Sequence, residues 1–212
     1  DFGLVVSKSM GPLYVAAFAM GAVMIDAPPN LADLLSRDTE VYGYGFAASS
    51  DVLAGMIASM LVFATAGALA STFIAARLGM RTTLLGAALL GAVGQGLLIP
   101  MPHFVAAFWV SGILTGFGLG ILVGALPALV SHAAPAGRTG IANGIYSALL
   151  AMGGAVGGAV FKQVLVAFRD EQRMTELGGY TTIWAISIAL FLLTALMMAT
   201  VELPEKRKQV HE

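Results

Sequence analysis

The chain has 212 residues, of which 58% are hydrophobic and 11% charged, with a formal net charge of −1 and no cysteine; its mean hydropathy is +0.87. An average soluble domain carries roughly a quarter charged residues, so these values exclude a water-soluble globule. The balanced charge removes the basic excess that nucleic-acid binding needs, and the missing thiols exclude disulfides and thiolate metal sites.

Charge gathers at Asp33–Glu40, Arg77–Arg81, Arg169–Glu176 and Glu202–Lys208, with long apolar runs between. That is the pattern of an all-α protein that crosses a bilayer repeatedly. The opening residues, DFGLVVSKSM, hold neither a positively charged leader nor a small-residue cleavage site, and a start without Met is expected of a piece of a longer chain.

Windows of about 20 apolar residues predict six spans. The first, about 11–27, is interrupted by Asp26, Pro28 and Pro29. After it comes the longest and most acidic connection, Ala27–Asp51. The second span, 52–76, leads into a tight turn at Gly79, and the third, 82–99, is closed by Pro100 and Pro102. The fourth, 104–130, runs into HAAPAGRTG; the fifth, 140–166, runs into RDEQRMTELGG; the sixth covers 181–201. Of the 11 Lys and Arg, a cytoplasmic N-terminus places 7 inside and 4 outside. The positive-inside rule therefore predicts both termini in the cytoplasm.

The fourth span carries GILTGFGLGILVG, with Gly112, Gly116, Gly120 and Gly124 at every fourth position. In water each would cost about 1 kcal/mol relative to alanine. In lipid, helices gain nothing hydrophobic by touching, and close van der Waals contact holds them together, so such a row makes a groove for a second helix. Lipid offers the backbone no competing hydrogen-bond partner, which keeps the helix intact. The fifth span repeats the pattern with Gly140, Gly144, Gly153, Gly154, Gly157 and Gly158, and the third adds Gly86, Gly91, Gly94 and Gly96. Such faces serve static packing or let helices rock against each other.

Three stretches resemble the C-terminal half of a major facilitator superfamily transporter, most of all the bacterial drug:proton antiporter branch. FIAARLGMRTTLLGA, Phe73–Ala87, resembles the family's short cytoplasmic loop between the second and third helices of a half. Arg77, Gly79 and Arg81 match its pattern; Ala76 stands in place of its acid and Met80 in place of a basic residue. YGYGFAASSDVLAGM, Tyr42–Met56, is similar to the start of the second helix of that half. Gly116–Phe161 resembles the fourth-to-fifth helix unit, with its glycines, loop proline and Gly-x-x-Asn-Gly.

The resemblance implies one six-helix half-bundle whose N-terminal half lies outside this sequence. It implies a multi-pass plasma-membrane protein that exports drugs or other small amphipathic molecules against protons by alternating access. Its partners would be the bilayer, a small-molecule substrate, protons and the missing half, with no cofactor. Another small-metabolite transporter of the same superfamily, or a non-transporting scaffold or truncated product, are the alternatives.

Asp26 follows a charge-free run from Pro12 to Ile25. A carboxylate at a helix centre costs about 2.5–3.5 kcal/mol on insertion scales. Asp26 is therefore either a proton carrier or cation partner whose desolvation favours the protonated form, or a headgroup-level residue on a span that stops before Pro28. Trp109, Thr115, Asn143 and Tyr146 are the uncharged polar candidates; Gln95 and Ser147 are others. In the resembled halves the first and fourth helices line the central cavity, which favours Trp109 and Thr115 over Gln95. The alternative for each is interhelical hydrogen bonding or an interfacial belt.

Lys162 reads as snorkelling to the outer surface. Met10, Met20, Met24, Met56 and Met60 offer an adaptable apolar lining. His103, His132 and His211 are not at metal-ligand spacing. An intramembrane enzyme would need a Ser–His pair or a carboxylate cluster inside the spans, and Asp26 is the only acid within one.

Overall fold

The computed structural model describes residues 3, 8–37, 45–169 and 176–201, with side chains except those of 25–32. Six helices follow one another: α1 (Gly11–Ser36), α2 (Ser50–Leu78), α3 (Met80–Gly96), α4 (Val105–Ala133), α5 (Thr139–Ala167) and α6 (Leu177–Thr200). The protein is all-α. Among the described residues α2, α4, α5 and α6 are long and apolar enough to cross a membrane. The 24 to 29 residues of these four extend about 36–44 Å at 1.5 Å per residue, beyond the ≈ 30 Å hydrocarbon core.

Local chemistry sets the helix ends. Ser49 caps α2 by accepting from the Val52 backbone N–H. A single residue, Gly79, joins α2 to α3 with φ +83°, a conformation that costs a Cβ-bearing residue far more than glycine. At the end of α1 the structure departs from the expected break. The helix passes Pro28 and Pro29 and ends at Ser36, although each proline removes one intrahelical N–H. The final turn is held from outside. Leu34 and Leu35 are buried, and their region is laced to the following segment by Ala48 N–H to the Leu35 carbonyl and Ala47 N–H to the Arg37 carbonyl.

α2 lies along α4, α1 along α5, and α3 packs on both α4 and α6, with α1 also against α6. Shifting each helix number by three turns the α1–α5 pair into α4–α2 and the α3–α4 pair into α6–α1. The bundle is thus two three-helix units packed by the same scheme.

Glycines make both long seams. On α4, a Cβ at Gly116 would lie 2.5 Å from the Met60 carbonyl oxygen, and one at Gly120 would fall onto the Ala64 carbonyl. A Cβ at Gly124 would lie 2.7 Å from Ser71 Oγ, and one at Gly112 would just reach Met60. From α2, Gly67 answers against the Phe117 carbonyl. In the second seam Gly153 backs onto the Phe18 carbonyl, Gly157 approaches the Ala22 backbone, and Gly21 of α1 meets the Leu150 carbonyl. Gly86, Gly140 and Gly144 are different: among the described residues no other part of the bundle lies within 4 Å of the position a Cβ would take.

Two apolar cores result. The larger joins α1, α3, α4, α5 and α6 around Leu13, Met20, Leu84, Leu122, Leu126 and Phe191. The smaller gathers Leu34, Leu35, Met56, Phe108, Tyr180 and Trp184 at the other end of the bundle. There Phe46, Phe108 and Trp184 stack edge to face, with ring centroids 5.4 and 6.0 Å apart.

Candidate functional site

The polar residues singled out in the sequence fall into separate groups along the bundle. Trp109, near the start of α4, is partly buried against the smaller core and lies opposite Gly55 of α2, where a Cβ would sit 3.6 Å from its ring. Thr115, a turn and a half further along α4, is buried and turned toward α3. It accepts a hydrogen bond from Gln95 Nε2 at 3.4 Å.

Asn143 is at the opposite end. Its Nδ2 donates to Ser131 Oγ at 2.8 Å and to the Thr139 carbonyl at 3.2 Å, and Ser131 Oγ donates to the Pro127 carbonyl at 2.9 Å. The chain of bonds ties the start of α5 to the end of α4. Tyr146 is buried in the larger core. Nearby, the Tyr14 hydroxyl donates to the Ala142 carbonyl at 3.4 Å, tying α1 to α5. Trp109 and Ser131 both belong to α4, and their 22-residue separation is about 33 Å at 1.5 Å per residue. The four therefore do not share one pocket. The side chain of Asp26 lies outside the described residues; its backbone is within α1.

The loop residues have defined partners. Arg77 places its guanidinium 4.3 Å from the centre of the Phe73 ring, a cation–π contact. Arg81 Nε donates to the Met198 carbonyl at 3.0 Å. Met198 is in the last turn of α6, where carbonyls lack intrahelical donors and the helix end carries partial negative charge. Gly79 lies between the two arginines: Arg77 packs back onto α2, and Arg81 joins the α2–α3 turn to α6.

One cluster was not anticipated. Asp33 accepts from Arg37 Nη2 at 3.0 Å and, through the same carboxylate oxygen, from the hydroxyl of Tyr180. The Arg37 guanidinium also sits 5.7 Å from the Tyr180 ring centre. The i, i+4 spacing of Asp33 and Arg37 was visible in the sequence; their partner 147 residues away was not. Ser111 was also missed, although its four-residue spacing from Thr115 puts both on one side of α4. Of the five methionines considered as lining, Met10, Met20 and Met56 are core residues and Met24 is exposed. Among the described residues no three His, Asp or Glu side chains are placed to share an ion.

No curated protein sequence matches the chain at significance. Its fold is similar to a crystal structure of the nucleoside transporter NupG, a point mutant, with TM-score 0.75 and 18% identity, over 95% of this chain and 50% of that one. It is also similar to a crystal structure of the E. coli fucose:proton symporter FucP, again a point mutant. There the TM-score is 0.66 with 18% identity, over 91% of this chain and 48% of that one. The chain thus spans about half the length of both. Residues 13–212 match the family description Major Facilitator Superfamily. Six helices in two like-packed triplets, half the length of the similar transporters and matched over nearly the whole sequence, belong to the Major Facilitator Superfamily, a family of membrane transporters rather than enzymes.

Proposed function

We propose that the chain is the C-terminal half of a secondary transporter that exports drugs or other small amphipathic molecules in exchange for protons. The family match over residues 13–212, at half the length of the similar structures, carries the reading. Alternating access then proceeds as two six-helix bundles rock about a midplane site. Proton coupling draws support from the fucose:proton symporter among the similar structures. The antiporter direction draws on the sequence resemblance at Arg77, Gly79 and Arg81 and across Gly116–Phe161.

Asp26 is the proposed proton carrier. α1 starts at Gly11 and does not end until Ser36, so Asp26 stands about 22 Å along the helix at 1.5 Å per residue, with ten residues of helix still to come. That placement favours the membrane-depth reading over the headgroup one. Trp109 belongs with the lining of the site and Thr115 supports it through its bond to Gln95, while Asn143 and Tyr146 hold α5 in the bundle away from it.

A second reading, uptake of a small polar metabolite, is favoured by the nucleoside and fucose transporters among the similar structures. The two separate in proteoliposomes. The whole transporter, this chain together with its N-terminal half, reconstituted with an imposed proton gradient, should move a cationic dye toward the acidic side and leave labelled nucleoside or sugar unmoved. Nucleoside or sugar uptake with no dye movement would replace export by uptake.

A further inference from the structure

Where the two apolar cores meet there is a largely enclosed cavity of about 30 Å³. Its wall comes from α2, α3, α4 and α6, and four of its side chains are polar: Gln95, Ser111, Thr115 and Ser187. Their exposures are 7%, 3%, 1% and 4%, in a part of the molecule otherwise filled by Leu98, Phe108, Ile183 and Trp184. Gln95 and Thr115 share one hydrogen bond. The Gln95 side-chain oxygen and the hydroxyls of Ser111 and Ser187 make none with any described residue.

A polar group sealed from water in that state would cost about 1–3 kcal/mol; these three instead border one space large enough for water. A bound water needs ~10–15 Å³ of such space and two to four polar partners; the cavity satisfies both. The wall offers a mixture of donors and acceptors, which suits water. It carries no Asp, Glu, Lys or Arg, so a cation would lie within the bundle without a counter-charge, at a large desolvation cost.

The geometry points to a buried hydration site: one or two ordered water molecules held by Gln95 of α3, Ser111 and Thr115 of α4, and Ser187 of α6. The water completes the hydrogen bonding of these groups and links three helices beside Leu98, Phe108 and Trp184 of the smaller core. It lies beside the α2–α4 glycine seam, with Gly112 and Met60 also in its wall, and keeps α4 bound to α3 and α6.

Brief X-ray radiolysis of the protein in lipid nanodiscs prepared in heavy-oxygen water tests this, because radicals form at bound as well as bulk water. Trp184 lines the cavity, whereas Met20 and Met198 are buried away from it. Trp184 should take up the heavy oxygen several-fold faster than either methionine, although methionine is intrinsically the more reactive side chain. Filling the space with Ser187→Val or, from α4, with Ser111→Val should lower Trp184 labelling several-fold and leave the two methionines unchanged. Wild-type Trp184 labelled no faster than Met20 and Met198 would overturn the proposal whether or not the variants fold. So would a loss of wild-type labelling when sodium replaces choline in the buffer, which would assign the cavity to a cation.

Discussion

Tyr180 opens the apolar helix α6 with a hydroxyl that finds its acceptor on another helix. The ring is 1% exposed, and the bond to Asp33, shared with Arg37, joins the end of α1 to the start of α6. Tyr180→Phe keeps the packed ring and removes only the donor, so it should lower stability by about 0.5–1.5 kcal/mol. Thermal unfolding in detergent reads this as a lower midpoint, and an unchanged midpoint would remove the bond from the account. Single residues like these were only partly legible in the sequence. Gln95 and Thr115 were recognisable as polar groups in apolar spans, but that they bond to each other depends on how α3 lies against α4. Arg81 looked like part of a loop pattern; its acceptor, the Met198 carbonyl, is invisible to any reading by residue type.

Helices were more legible than contacts because a run of about 20 apolar residues has one physical solution in lipid, a helix with every backbone group satisfied internally. The exception is α1. The rule that proline ends a helix weighs one or two lost hydrogen bonds, and in α1 the burial of Leu34 and Leu35 with the bonds from Ala47 and Ala48 outweighs them. Glycine periodicity announced close helix contact, yet it did not distinguish Gly120, backed onto the Ala64 carbonyl, from Gly144, with open space around it. The distinction predicts a difference in tolerance. Gly120→Ala should destabilise by about 1–3 kcal/mol, the cost of overpacking a tight contact, whereas Gly144→Ala should stay within about 0.5 kcal/mol of wild type, as expected away from packed features. The midpoints of thermal unfolding compare them directly, and equal shifts would contradict the seam between α2 and α4.

For the molecule as a whole, the sequence conveyed the six-helix plan through hydropathy and the family through motifs, while the two-triplet packing scheme needed the structure, since pairings between α1 and α5 or α2 and α4 leave no trace in composition. The charge distribution predicts an orientation with both termini in the cytoplasm. Reporter fusions after Arg81 and Arg138 should read cytoplasmic, and fusions within Asp33–Glu40 should read external; a cytoplasmic signal from Asp33–Glu40 would invert the bundle. The proposed proton-coupled export needs a group that exchanges a proton as the site faces each side in turn, and the proposal gives that role to Asp26. Its ionised carboxylate attracts a cationic substrate, and protonation releases it, which couples the two flows. Asp26→Asn retains shape and hydrogen bonding but cannot ionise. The most direct measurement is drug-induced proton release from acid-loaded, inside-out vesicles containing the whole transporter, wild-type or Asp26→Asn, at equal membrane levels. The account predicts proton release on adding a cationic drug to the wild type and little or none with Asp26→Asn. Equal release from both, with the same dependence on pH, would contradict it.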